Sequence, residues 1–311
     1  MRLIHKLQLS FTYKYFAYLT HRITVYICPH WEINRYFMKI FKRKINLQTP
    51  KSLIEKIYWM QLHTDTSMWS LCADKYRMRE FVDGLHLSNY LPKLLGHWNN
   101  YLDIDFNSLP NSFVLKTNNG CETVLIIKDK ENTDITAIYR EIKNWLRIPY
   151  GYSGYEPHYL NISPCFIAEE LLIQDQELSL ISPKSLIDYK IWCINGEPRS
   201  IWVAYNRTHG SLNMSLYDTN WNDLSKYLIS NNHTVYNSEI KIPCPSCLDE
   251  MLMIARKLTA KFSECRVDFY NIKGKPILGE LTFSSGYGYF TEEYYNFLGE
   301  DINLDALEII R

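Results

Sequence analysis

Two strand-like stretches near the C-terminus, each with one carboxylate, constrain this chain more than any other feature. Residues 265–270 and 277–283 are apolar runs joined by a tight turn at 271–275, a pattern that predicts an antiparallel hairpin. Its acidic residues are Asp268 and Glu280. Mg²⁺ takes a few protein oxygens and completes its shell with water and substrate phosphate, so the pair predicts a metal-binding shelf. Carboxylates with a purely structural role are the alternative.

The charge of the chain is unevenly distributed. The 311 residues carry no formal net charge, but residues 1–44 hold nine basic residues and a single acid, Glu32, which makes this segment about +8. Aromatic residues lie between the basic ones. The pattern fits a helical segment in peripheral contact with an anionic membrane, and it fits equally a solvated helical face that packs its rings on the protein core. No recognisable reading motif accompanies the basic residues, which argues against a nucleic-acid partner.

Targeting signals and cysteines indicate the compartment. The sequence has no apolar run of about 20 residues and no signal-peptide pattern, so we predict a cytoplasmic protein, with any membrane contact at the inner face. The eight cysteines are then expected to be reduced. Cys244-Pro-Ser-Cys247 is the closest pair, but a zinc site needs a second pair, and a thioredoxin-like site needs the end of a βα unit.

Periodicity predicts an α+β chain of two or three lobes, with strands in antiparallel pairs. Thr49 and Pro50 predict the start of a helix over 51–60, and a second helix is expected from Asp65 to Val82. Further helices are predicted at 136–146 and 248–262. Strands are predicted at 113–116, 123–128, 165–172, 188–194 and 198–203, the last two joined by an Asn195-Gly196 turn, and the acidic hairpin is expected to close the chain.

A second candidate site lies in the middle of the chain. Lys116 ends a strand, and a small polar loop at 117–122 returns to a strand ending in Lys128. Backbone N–H groups of such a loop, with Asn119 and Gly120, can hold phosphate oxygens while lysine supplies positive charge. Solvated edge lysines are the alternative. Glu169 and Glu170 end an apolar strand. There they would either bind the edge of a purine base or form salt bridges at a hinge between domains.

The order of these elements resembles the ATP-grasp superfamily, and within it the TupA-like group associated with bacterial surface polysaccharides. The resembling stretches, spread over roughly residues 49–290, are 53–59, 73–80, 102–110, 113–116, 167–170, 188–190 with 195–198, and 266–268 with 279–282. The resemblance implies an α+β ATP-grasp fold, with a nucleotide held between two lobes with antiparallel sheets. We divide the chain into a basic helical segment (1–48), an N-terminal lobe (49–110), a small lobe with phosphate loop and hinge (111–172) and a catalytic lobe (173–311).

The resemblance also implies a role for individual residues. Lys116 would contact the nucleotide phosphates from the loop, and Arg79 would approach them from the other side. Lys190 would be a further phosphate or substrate cation, and Arg266 would stabilise charge on the transferring phosphoryl group. The adenine-reading hinge would consist of Glu169, Glu170 and Leu171. Two Mg²⁺ ions would be held by Asp268 and Glu280, with Glu280 bridging them.

Two positions depart from the family pattern. Thr282 stands where asparagine is common, and its hydroxyl is a weaker ligand for Mg²⁺ or a bound water. The phosphate loop has one glycine, Gly120, and Glu122 would repel phosphate unless it turns outward. Both departures bear on the strength of ATP binding.

The function implied is an ATP-dependent carboxylate–amine ligase that forms an amide through an acyl phosphate, acting on capsule or O-antigen precursors. Arg207 and residues 284–286 are candidates for holding the acceptor. Two alternatives remain: a glycosyltransferase of the same polysaccharides, whose metal would hold a nucleotide-sugar pyrophosphate, and a nucleotide-binding protein without turnover.

Overall fold

The computed structural model describes residues 11–121, 123–208, 210–231, 233–284 and 286–310. The first ten residues, Glu122 and Ser285 therefore lie outside the described part, and with them the predictions that concern them. The described helices are α1 (Phe11–Ile27), α2 (Pro29–Phe41), α3 (Leu53–His63), α4 (Ser67–Ala73), α5 (Met78–Gly84), α6 (Ile135–Ile142), α7 (Pro157–Leu160), α8 (Gln176–Ile181), α9 (Leu248–Thr259) and α10 (Glu292–Glu300).

The strands form two sheets. They are β1 (Leu94–Trp98), β2 (Phe113–Thr117), β3 (Val124–Ile127), β4 (Phe166–Glu170), β5 (Asp188–Ile194), β6 (Glu197–Thr208), β7 (Ser211–Tyr217), β8 (Thr234–Tyr236), β9 (Glu264–Ile272) and β10 (Lys275–Thr282). One sheet has the order β1-β4-β2-β3 and the other β10-β9-β5-β6-β7-β8. The predicted α+β class is confirmed. Strand pairing is antiparallel, with β7–β8 as a parallel exception.

The chain divides into two compact units. Unit 1 comprises residues 1–45, 66–76 and 93–171 and contains the four-stranded sheet. Its core lies between α6 and the inner face of the sheet, where Phe113, Leu115, Ile138, Ile142 and Phe166 are buried. Unit 2 comprises residues 46–65, 77–92 and 172–311 and contains the six-stranded sheet. The four-part division made from the sequence stays a prediction.

Several predicted boundaries were wrong for local reasons. Helix α3 begins at Leu53, because Ser52 caps it in a capping box with Glu55, so Thr49 is not the cap. The single helix predicted from Asp65 to Val82 is two, because Asp74 has an extended backbone at the end of α4. The acidic hairpin does not close the chain, since α10 follows it with Thr291 as its N-cap.

The acidic hairpin itself is confirmed, with a tighter turn than predicted. Strands β9 and β10 run antiparallel, and the turn is formed by Lys273 and Gly274, with φ angles of 53° and 73°. Positive φ at both central residues matches the twist of a two-residue hairpin. The register shifts between Leu278 and Glu280, a bulge that brings Glu280 opposite Asp268. This bulge positions the two carboxylates on one face of the sheet.

Candidate active site

One face of the six-stranded sheet collects the charged residues of unit 2. Lys190 on β5 pairs with Asp268 on β9, which pairs in turn with Glu280 on β10. Residues directly opposite each other in a sheet share a face, so these three side chains project the same way. Arg266 and Thr282 are opposite each other two residues further along the ladder, so they belong to the same face. Five predicted site residues are therefore brought together by strand register.

Asp268 is the centre of this cluster. Its Oδ1 accepts from Arg266 Nε at 2.6 Å and its Oδ2 from Arg266 Nη2 at 2.7 Å, a two-point ion pair. Lys190 Nζ also donates to Asp268 Oδ2. Arg266, Asp268 and Lys190 are all at most 5% exposed. Paired charges at this depth hold each other in a fixed geometry.

Glu280 and Thr282 complete the acidic side of the cluster. Arg266 Nη2 donates to Glu280 Oε1 at 3.3 Å and to Thr282 Oγ1 at 3.2 Å. Thr282 Oγ1 in turn donates to Glu280 Oε1 at 3.3 Å. The Glu280 side chain is 30% exposed, against 3% for Asp268. Glu280 is thus the carboxylate open to an incoming ligand.

Asp188 is a member of the cluster that the sequence analysis did not select. Its Oδ2 lies 2.5 Å from Lys190 Nζ and 4.0 Å from Arg207 Nη2, whereas its buried Oδ1 has no hydrogen-bond partner among the described residues. A carboxylate two residues before Lys190, on the same face of β5, was the available signal. The half-exposed Arg207 joins the cluster only through Asp188.

Burial and mutual attraction set the electrostatics. Burial alone would lower the pKa of Arg266, but the charge and hydrogen bonds of Asp268, together with the charges of Glu280 and Asp188, outweigh it and the pKa is raised. Burial raises the pKa of the Asp268 carboxyl, while Arg266 and Lys190 oppose the rise. The ring of Trp202 lies 5.9 Å from Lys190 Nζ and 5.8 Å from Arg266 Cζ. An apolar ring at this position lowers the local dielectric constant, and it therefore strengthens the charge interactions beside it.

This donor set fits a magnesium ion shared with a substrate. Among the described residues, no three His, Cys, Asp or Glu side chains form a ready metal cage. Mg²⁺ is usually held by one or two carboxylates plus substrate phosphates rather than by such a cage. Asp268 and Glu280, opposite each other on paired strands with the Thr282 hydroxyl beside them, offer that kind of set.

The segment after β10 is anchored against the same face. Gly286 has a φ of +76°, and a Cβ there would lie 2.5 Å from the Trp192 ring. Tyr295 donates its hydroxyl proton to the Gly286 carbonyl. Ser284, the other described member of the predicted acceptor segment, is 6% exposed. The segment therefore packs against Trp192, which lies on the same face of the sheet as Arg266.

Unit 1 carries the second candidate site, on the outer face of its sheet. Lys116 Nζ lies 2.5 Å from Glu169 Oε2, and the two side chains are 16% and 5% exposed. Strand register places Val124 opposite Lys116 and Ile126 opposite Val114, on the same face as Glu169. Val124 and Ile126 are 49% and 56% exposed. An apolar platform therefore adjoins the Lys116–Glu169 pair.

The loop between β2 and β3 is held by its neighbours in unit 1. Asn118 donates its side-chain amide to Ser163 O at 3.0 Å and accepts from Cys165 N at 2.8 Å. Lys75 binds the loop twice, with its backbone N–H to Asn118 O at 2.8 Å and its Nζ to Gly120 O at 2.9 Å. Thr117 Oγ1 donates to Asn119 O at 3.0 Å. The loop is thus shaped by side chains as well as by glycine.

We expect Gly120→Ala to distort this loop. Gly120 has a φ of +69°, and a Cβ there would lie 2.7 Å from the Tyr150 ring. Left-handed backbone and ring displacement together should cost about 1–3 kcal/mol. Gly84→Ala is the matched control, since nothing lies within 4 Å of its Cβ position. Urea denaturation should show a loss for Gly120→Ala alone, and equal stability of the two variants would contradict the packing argument.

Comparison with models of protein families identifies the family of this chain. A family model described as TupA-like ATP-grasp matches residues 55–303. The chain belongs to the TupA-like ATP-grasp family. The predicted resemblance and ATP-grasp fold are therefore confirmed.

Solved structures give a coarser comparison. The D-alanine–D-alanine ligase from Bacillus anthracis, complexed with ATP, is 13% identical with a TM-score of 0.46 over 77% of this chain and 67% of its own. An L-amino acid ligase from Bacillus licheniformis is 10% identical with a TM-score of 0.48 over 92% and 64%. An ADP complex of N5-carboxyaminoimidazole ribonucleotide synthetase is 12% identical with a TM-score of 0.42 over 75% and 51%. The curated proteins contain no match.

The remaining residues expected to act in an ATP-grasp protein occupy other positions in the two units. Lys128 is exposed and directly follows β3, at the end of that strand away from the loop. The register positions nearest to this end are Phe113 on β2 and Glu170 on β4. Glu170 Oε1 accepts from Lys93 N at 2.7 Å, and Leu171 directly follows β4. Arg79 in unit 2 donates to Pro92 O at 2.9 Å. Their nucleotide-binding roles stay predictions.

Proposed function

We propose that this ATP-grasp protein is an ATP-dependent carboxylate–amine ligase, with two Mg²⁺ ions, acting in bacterial capsule or O-antigen biosynthesis. The observation that carries the proposal is the buried Arg266–Asp268–Lys190 cluster, edged by the accessible carboxylate of Glu280. Phosphoryl transfer needs positioned cations and acidic metal ligands at one place, and strand register supplies both. The polysaccharide context is the one that the resemblance to the TupA-like group implies.

The proposal assigns roles to residues of each unit separately. Val124 and Ile126 in unit 1 offer apolar contact area for the purine. Lys116 exchanges its partner Glu169 for the nucleotide phosphates, and Glu169 then accepts from the exocyclic amine with Glu170 and Leu171 beside it. Arg79, Lys128, Asn119 and Gly120 are further predicted contacts. In unit 2, Asp268, Glu280 and Thr282 would hold Mg²⁺, which would supply positive charge to the phosphate oxygens.

The chemistry then proceeds in two steps. The substrate carboxylate attacks the γ-phosphorus of ATP, ADP leaves and an acyl phosphate forms. The amine next attacks the acyl carbon, inorganic phosphate leaves, and the amine gives up a proton as the amide forms. Arg266 and Lys190 stabilise negative charge during the first step, because both are fixed before the substrate arrives. Arg207 at the exposed edge, with the segment around Ser284 and Gly286, is proposed to hold the acceptor.

The test uses the first step, which requires only ATP and the carboxylate. Purified protein, Mg²⁺ATP and a panel of uronic acids and amino acids are incubated with hydroxylamine, which traps an acyl phosphate as a hydroxamate. ADP and hydroxamate should form in equal amounts with one class of carboxylate. Mass spectrometry of surface polysaccharide from cells with and without the protein should show loss of an amide-linked substituent.

Other results would identify the alternatives. Consumption of a UDP-sugar, with stabilisation by UDP-sugars and not by ATP in a thermal shift assay, would show a glycosyltransferase. Stabilisation by Mg²⁺ATP with no ADP formed, and an unchanged polysaccharide in cells, would show a nucleotide-binding protein without turnover.

A further inference from the structure

Helix α1 presents an apolar stripe to solvent. Phe16, Ile23 and Ile27 are 63%, 59% and 79% exposed. Their spacings of seven and four residues place them on one face of the helix. Contiguous apolar area of this kind on a protein surface usually marks a contact with another molecule or a membrane.

The opposite sides of α1 and α2 already serve the packing of unit 1. Val25 is 8% exposed, and the Tyr18 ring meets Tyr152 edge-on at 5.3 Å. In α2, Ile33 and Phe37 are 0% and 1% exposed. Packing of rings on the protein core, one of the two alternatives left open by the sequence, is therefore found for these residues, and the stripe of α1 is not needed for this packing.

The exposed surface of α2 adds an interfacial aromatic residue. Trp31 and Met38, seven residues apart, are 52% and 42% exposed. Arg35 lies between them and places its guanidinium 6.0 Å from the Trp31 ring. Tryptophan beside a cation suits the headgroup level of a bilayer, where an apolar ring and a polar edge are both accommodated.

The accessible charge of this helical pair has one sign. Over residues 11–45 the acidic residue is Glu32, which is fully buried and receives hydrogen bonds from Arg35 Nε at 2.9 Å and Gly154 N at 3.2 Å. The basic residues of the segment are Lys14, Arg22, Arg35, Lys39, Lys42, Arg43 and Lys44. Charges within a Debye length, about 8 Å, of a surface are only partly screened, so a surface that touches the helical pair senses the basic residues nearest to it.

We propose that α1 and α2 form a peripheral binding surface for anionic lipid bilayers. Phe16, Ile23, Ile27 and Trp31 enter the headgroup region, and the basic residues bind the anionic headgroups. A second copy of the chain fits less well, because two such surfaces would bring positive charges together. Among the described residues no helix is long and apolar enough to cross a bilayer. The proposal is independent of the ligase reaction.

The experiment is cosedimentation of the full chain with vesicles of phosphatidylcholine alone and of phosphatidylcholine with 30% phosphatidylglycerol. We expect binding to the anionic vesicles that exceeds binding to the neutral ones by roughly tenfold or more and falls steeply with added salt. The triple variant Phe16→Ser/Ile23→Ser/Ile27→Ser should lower binding by at least about tenfold, because it removes the inserted apolar area.

The matched control is Ile173→Ser/Leu180→Ser, which alters side chains that are 69% and 80% exposed in unit 2. It should bind as the parent does, and thermal melts should show all variants folded. Binding that ignores lipid charge, or that survives the triple variant, would overturn the proposal. Absence of vesicle binding would also overturn the proposal. In that case, a dimer that is detected by light scattering and abolished by the triple variant would show self-association instead. Hydroxamate formation in solution should be the same for every variant, which separates this test from that of the ligase reaction.

Discussion

Glu280→Gln is expected to lower ATP turnover by roughly 10²–10³-fold while the protein stays folded. Glu280 is the accessible carboxylate of the charged cluster, with a side chain 30% exposed. The amide has nearly the same shape and can still accept from Thr282 and Arg266, which lie 3.3 Å away. What it lacks is the negative charge that a bound cation requires. The free energy of unfolding should therefore change little.

The measurement is hydroxamate and ADP formation at saturating carboxylate, with Mg²⁺ titrated at fixed ATP. Glu197→Gln is the control, since Glu197 is also a glutamate of the six-stranded sheet and pairs with Arg256 at 2.8 Å outside the cluster. Glu197→Gln should turn over normally. Full turnover by Glu280→Gln, or an equal loss in both variants, would remove Glu280 from the proposed metal site.

Asp268→Asn should damage both activity and folding. The substitution leaves Arg266 and Lys190 buried without the carboxylate that pairs with both of them. Removing one partner of a buried ion pair typically costs about 3–5 kcal/mol, and we expect a loss of that size in urea denaturation. Turnover should fall at least as far as in Glu280→Gln.

A double-mutant cycle tests the reason for this loss. The Lys190→Met substitution in the Asp268→Asn background removes one of the two buried cations that pair with Asp268. The double variant should therefore lose less stability than the sum of the losses of the two single variants. Additive losses would mean that Lys190 and Asp268 do not stabilise each other. A stability change below about 0.5 kcal/mol in Asp268→Asn would contradict the buried network itself.

Local patterns were sufficient for the strands nearest the site. Residues 188–194 and the acidic hairpin are rich in aromatic and aliphatic residues and are bounded by clear turn residues, and the structure has strands there. Strands β7 and β8 were missed, because β7 has mixed polar residues and β8 has three residues in parallel pairing. Helix α10 was not predicted, although Thr291 before Glu292 and Glu293 is an N-cap signal.

The candidate site divides in the same way. Arg266, Asp268 and Glu280 were identified by residue type and by the resemblance, and the structure brings them together with Lys190. Asp188 was missed because its importance depends on which face of β5 it occupies and on Lys190 beside it. Lys128 was grouped with the phosphate loop because it ends the returning strand, yet antiparallel pairing carries that end away from the loop.

The sequence by itself determined the α+β class and the acidic hairpin, because these depend on residue types at short spacing, and the order of seven such stretches along the chain carried the resemblance to the ATP-grasp family. Only the tertiary structure decided how Asp268 and Glu280 are placed, since a bulge of one residue after Leu278 sets which side chain stands opposite which. A slip of one residue would turn Glu280 to the other face of the sheet. It also decided which rings of the basic helices pack inward and which face solvent. Both outcomes depend on pairing and packing between distant segments, which no local pattern contains.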